Sequence, residues 1–180
     1  MSNQRSVYSI GASDGVIVGV IMGLCAASMI MSAAVPVLTL VGLALFISTP
    51  YVVWRMLRRA WLRAQVPRTF SAVWLHGICI FLFGSLIMAL MMYLTLRFGQ
   101  PGWIESQTLL AADRLAADPA TARQAMVLHN IVDSGQLPSP IYSSISSIWL
   151  VSFTGSIWSM IFAFILTRVP SFARRYDRTV

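Results

Sequence analysis

GASDGVIVGVIMGLCAAS, Gly11–Ser28, is the stretch on which the reading of this chain turns. Glycine recurs there at every fourth position, Gly11, Gly15, Gly19 and Gly23, and Ala27 continues the row. In water such a stripe weakens a helix, because each glycine is about 1 kcal/mol worse than alanine. In lipid no hydrophobic force draws helices together, and small residues four apart let two backbones touch. The stretch therefore predicts a membrane-spanning helix that packs by a smooth face. Beside the start of the row stands Asp14, a charge that is costly in hydrocarbon.

The rest of the chain has the same character. Of 180 residues 57% are apolar and 11% charged, where a soluble domain carries about 25% charged residues. The mean hydropathy is +0.74. Apolar runs at about 14–33, 36–54, 71–96 and 141–167 are each long enough for the ~20 residues that cross a bilayer. The shortest is roughly 28 Å long at ~1.5 Å per residue. Only Ser32–Val35 separates the first two, which predicts a tight antiparallel hairpin. A cleaved leader is the rival reading of the first run, with Ser32 and Ala34 near a cut. Leaders have shorter apolar cores, of about 7–15 residues, and a more basic start than the single Arg5. The chain thus reads as one all-α membrane domain over 1–180, a four-transmembrane-helix bundle.

Arginine sets the direction. The net charge of +7 comes from arginine alone, for there is no lysine. Arg55, Arg58, Arg59, Arg63 and Arg68 fall in a loop over 55–70, and Arg168, Arg174, Arg175 and Arg178 in a tail over 168–180. The other side has Arg97, Arg114 and Arg123, set against Glu105, Asp113, Asp118 and Asp133. Positive charge marks the cytoplasmic side, so both termini are expected there, in a bacterial inner membrane. Trp54 and Trp61 interleave the loop arginines as interfacial anchors. Arg55, Arg58, Arg59, Arg63, Arg174 and Arg175 are expected to meet anionic headgroups, at about 1 kcal/mol each. Arginines that flank apolar spans do not suit nucleic acid.

Between the third and fourth spans, 98–140 predicts an extracytoplasmic pair of amphipathic helices. WIESQTLLAADRLAA is the first and PATARQAMVLHNIVDS the second, with Asp118 as N-cap and Pro119 at the first helical position. Gly135 is expected to end it. Trp103, Leu109, Leu110, Met126, Leu128 and Ile131 supply an apolar side.

Candidate chemistry is sparse. The glycine row, with a weaker row at Gly155, Ser159 and Ala163 in the fourth span, predicts packing of the first span on the fourth or second; docking of a partner or second copy is the alternative. Asp14 either caps the first span, where a carboxylate complements the helix dipole, or faces inward and pairs with a cation. His76, Arg68 and Arg168 come from similar depth and with Asp14 form a candidate polar or headgroup site. One acid and one histidine also suggest a proton relay, though no second acid extends it. His129 and Asp133, four apart, are two ligands and not a metal site. Cys25 and Cys79 lie inside apolar runs and suggest neither disulfide nor zinc. No catalytic motif and no cofactor-binding motif is present.

The layout also resembles a known family. A glycine-spaced first span, a tight second and an arginine-rich stretch lead into FSAVWLHGICIFLFGSLIMALMMYL. FGQPGWIESQ, the helical pair and PSPIYSSISSIWLVSFTGSIWSMIFAFILTR follow. With Pro101, Pro140 and Gly155–Ser156 as its closest points, this is similar to the bacterial membrane-protein family known as domain of unknown function 4199. The resemblance implies a four-span inner-membrane protein with no assigned activity. It also implies a partner among glycosyltransferases that act on polyprenyl-phosphate carriers, near which members are encoded. The expected role is a non-enzymatic accessory or scaffolding subunit, with a membrane-protein partner or as a homo-oligomer, and a small oligomeric carrier or flippase for a lipid or small anionic solute is the rival.

Overall fold

The computed structural model describes residues 7–63 and 69–168. Arg68, Arg174, Arg175 and the tail beyond Arg168 lie outside the described residues. Six α-helices and a π-helical turn make up the fold, with no strand among the described residues. Four are long and apolar enough to cross a membrane, so the chain is a multi-pass membrane protein.

Helix α1 runs Val7–Met31 and begins seven residues before the apolar run starts at Asp14. A helix does not have to begin where hydrocarbon begins, and no proline stands between Val7 and Ser13. After a turn closed by Ala34 and Val35 N–H groups on Met31 C=O, α2 spans Val37–Leu62. The expected loop over 55–70 is therefore helical through Leu62. Arginine, leucine and alanine are good helix formers, and Leu57, Ala60 and Trp61 bury the inner face of these last turns. Arg55 and Arg59 point outward.

Helix α3, Phe70–Leu94, is the central span, continued by the π turn Thr95–Gly99. Its His76, Ile80 and Ser85 have no exposed surface. Helix α6, Pro140–Arg168, packs along it. Trp74 Nε1 donates to Ser156 C=O at 3.2 Å, and the Ser85 and Ser152 hydroxyls bond at 3.1 Å. The core joins Val18 of α1, Val53, Leu57 and Trp61 of α2, Val73, Ile80 and Phe81 of α3, and Phe162, Ala163 and Leu166 of α6. Trp54 meets Phe162 edge to face, with ring centroids 5.6 Å apart. Most of this core lies toward the arginine-bearing end. The other half of α2 is packed on one face only: Gly42 is buried against α1, while Leu40 is 69% exposed and Phe46 65%.

Helices α4, Trp103–Ala116, and α5, Ala122–Asp133, pair with each other. Their buried residues are Ala112 and Ala125, so the pair closes on small side chains, while Leu110 and Met126 face outward. Asp118 does not cap α5. Its Oδ1 accepts from Ala120 N–H at 2.9 Å in a turn, and the helix starts three residues later than Pro119 would set it. Gly135 closes α5 at φ +66°. Gln136 N–H reaches Ile131 C=O at 3.1 Å there, the bond of a left-handed helix cap.

Candidate functional site: a histidine–aspartate pair between two spans

The glycine row of α1 meets α3, not α2 or the fourth span as expected. A Cβ on Gly15 would stand 2.9 Å from Ile80 C=O, and one on Gly19 would stand 2.7 Å from Gly84 C=O. A Cβ on Gly23 would overlap Met91. Gly84 returns the approach, since a Cβ there would meet Gly15 C=O at 3.2 Å. Backbone faces backbone, which is what small residues permit in a membrane. Ala27, at the end of the row, is half-buried.

The second row also faces α3. Ser159 sits where a Cβ on Gly77 would fall, and Gly155 accommodates the Phe81 ring. Ala163 is fully buried. α3 is thus held on both sides by glycine contacts, and its polar groups are forced into the protein.

His76 is the outcome of that burial. Its ring lies against α1 where Gly11 has no side chain: a Cβ there would be 3.5 Å from Nδ1 and would collide with Cys79 Cβ. Asp14 is one turn further along α1. It lies in the third turn, and the first turn of α1 carries no acid, which corrects its reading as a helix cap. Its Oδ2 stands 3.3 Å from His76 Nε2. The side chains are 26% and 1% exposed respectively, so the acid is the pair's contact with its surroundings. The approach lies off the line of the ring N–H, and neither ring nitrogen has an aligned hydrogen bond. An imidazole carries at least one N–H in either protonation state at neutral pH. Here that proton is shielded from water with only a poorly aligned carboxylate beside it. Such a pair can hold or pass a proton, and an unsatisfied buried donor is costly to keep.

Among the described residues the other candidates do not join it. Arg168 is exposed and stands over Phe164 of its own helix at 5.9 Å. Arg63 is exposed, while Arg58 is half-buried with its Nε shielded and unpartnered. His129 pairs across the helical hairpin with Asp113, at 3.7 Å, and not with Asp133. Among the described residues no three His, Cys, Asp or Glu side chains converge on a metal-sized site. Sequence reasoning passed over Gly77, which meets Ser159 of α6, and Gly84, which meets Gly15 and Gly19 of α1. Their seven-residue spacing on one helix was the available signal.

The family model for protein of unknown function DUF4199 matches residues 13–168. The chain belongs to that family. No curated protein and no solved structure matches it.

Proposed function

We propose that this DUF4199 member is a non-enzymatic accessory or scaffolding subunit of the bacterial inner membrane, with both termini cytoplasmic and the α4–α5 pair outside. The arginine asymmetry supports the orientation. A polyprenyl-phosphate glycosyltransferase is the first partner to test.

The observation that carries the reading is the interior beyond the Asp14–His76 pair. Val18, Ile80 and Phe81 pack immediately past it, and hydroxyls along α6 are spent on its own backbone or, at Ser152, on Ser85 of α3. Ser144 donates to Pro140 C=O at 2.8 Å, Ser159 to Gly155 C=O at 2.7 Å, and Thr167 to Ala163 C=O at 2.8 Å. A carrier for an anionic solute or headgroup needs polar groups in succession across the membrane. An apolar plug favours a protein that packs and binds over one that conducts.

The test is purification of the tagged chain in mild detergent from cells expressing the candidate glycosyltransferase. A complex of fixed stoichiometry that survives gel filtration is expected, with vesicles of the chain alone failing to move a fluorescent anionic lipid. Elution without partner, together with lipid translocation by the chain alone, would establish the carrier reading instead.

A further inference from the structure

A second feature lies in the middle of the bundle, away from the histidine–aspartate pair. All four spans wall a cavity of about 460 Å³, within the ~300–1,000 Å³ range of small-molecule sites. Its walls include Met22 and Ala26 of α1, Phe46 of α2, Met88 of α3, and Val151 and Trp158 of α6. From the geometry we infer that it holds the hydrocarbon chain of a membrane lipid, entering sideways between α2 and α6. This holds whether or not the chain serves as an accessory subunit.

Three observations fix the class of occupant. The first is that the wall offers no free hydroxyl or thiol. Cys25 Sγ donates to Gly42 C=O at 3.2 Å, Thr49 Oγ1 to Leu45 C=O at 2.9 Å, and Thr154 Oγ1 to Leu150 C=O at 2.7 Å. The lining holds no charged side chain to meet a charged headgroup, and water does not fill an apolar cavity. The second is position. Pro50 and Thr154 border the cavity and stand near the centres of α2 and α6, at the level of chains rather than headgroups. Pro50 is about 20 Å from Arg63 along the helix. The third is access. Phe46 and Leu150, on its border, are about two-thirds exposed, whereas Phe81 and Met88 at the closed end are buried. The outward face of this half of α2 thus leaves a side opening onto the surrounding hydrocarbon. An empty space of this size would forfeit dispersion contacts on every wall, and lipid chains are the material at hand.

The probes are phosphatidylglycerol and a polyprenyl phosphate, each with a diazirine near the chain end, in vesicles holding the full chain. Crosslinked residues are read by mass spectrometry. Labelling is expected at Phe81 and Met88, which no lipid reaches except through the cavity, as well as on the outward residue Leu86. Ala26→Phe, which fills the cavity, should lower the Phe81 and Met88 labelling roughly tenfold, the change that goes with about 1.4 kcal/mol of lost chain packing. Leu86 labelling should not change. Val151→Trp fills the same space from α6 and serves if Ala26→Phe does not fold. Preference for the first probe identifies an acyl chain as occupant, and preference for the second an isoprenoid chain. Labelling confined to Leu86 and other outward residues, or Met88 labelling that a folded filling variant leaves untouched, would overturn the inference.

Discussion

Gly19→Leu is the sharpest test of how the spans are held. A Cβ on Gly19 would stand 2.7 Å from Gly84 C=O, 2.8 Å from Ile87 Cβ and 3.0 Å from Gly84 Cα. Carbon atoms rest at about 3.5–4.0 Å, so one methyl requires nearly an ångström of separation. Two of those three neighbours are backbone atoms, which cannot rotate away. The strain spreads along the row, because α1 is docked at Gly11, Gly15 and Gly23 as well. Overpacking costs about 1–3 kcal/mol, and alanine recovers up to ~1 kcal/mol as a better helix former. Gly19→Ala should therefore lose about 1 kcal/mol, and Gly19→Leu, with three further carbons, about 3 kcal/mol. At roughly 2–4 °C per kcal/mol for a chain of this size, the leucine variant should melt about 6–12 °C lower in detergent, followed by circular dichroism. Gly102 has open space around it but a left-handed φ of +85°, so Gly102→Leu should cost only the ~1–2 kcal/mol of that strain. Val20→Leu, on the outward face, should cost little. If Gly19→Leu melts with Val20→Leu, the close approach of α1 and α3 is wrong.

The remaining predictions concern the polar pair, the α3–α6 contact and the topology. Asp14→Ala removes the carboxylate beside a ring that already lacks an aligned hydrogen bond and should lose no more than about 1 kcal/mol. Adding His76→Phe removes the orphaned donor and should restore most of the loss; a double variant less stable than Asp14→Ala would show that His76 has another partner. Gly77→Ala drives a methyl into Ser159 and should lower the melting temperature by several degrees, at about 1–3 kcal/mol of overpacking. Pairing it with Ser159→Gly should recover much of that, and strict additivity of the two changes would mean that the residues do not touch. A periplasm-active reporter fused after residue 120 should be active and one fused after residue 180 silent; the opposite pattern reverses the orientation.

The spans were legible because length and apolarity alone select them, and the close-packing face because glycine spacing is geometric. The partner of that face was not. Spacing states how near two backbones can come, but α3 is apolar on nearly every side, so it carries no periodicity to say which face meets which helix. The helix limits failed for a related reason. Hydropathy marks where lipid is tolerable, whereas helices end where hydrogen bonding or turn chemistry ends them. Seven residues of α1 and eight of α2 were lost to that difference. The first loss mattered most, since it moved Asp14 from the third turn to the first and made a cap of it. The arginine-rich end of α2 was hidden because charge suggests loop, although arginine sits easily in a helix. Cavity walls contributed by four separate spans leave no local pattern at all.

The acid beside the glycine row can now be explained by the row itself. Glycine at 11 admits the His76 ring against α1, and glycine at 15 and 19 brings α3 so close that the ring is sealed from water. A histidine sealed in this way needs a partner, and position 14, one turn from Gly11, is within reach of Nε2. The alignment is poor enough that packing gains little from it. Apolar residues of similar size in both positions would be neutral or stabilising by the usual energetics of buried pairs. A chain built only to pack its helices has no need of the arrangement. The pair therefore does not hold the bundle together: the Asp14→Ala, His76→Phe double variant should fold, melt close to the wild type and still bind lipid chains in the central cavity, and a melt several degrees lower would show that the pair is part of the packing.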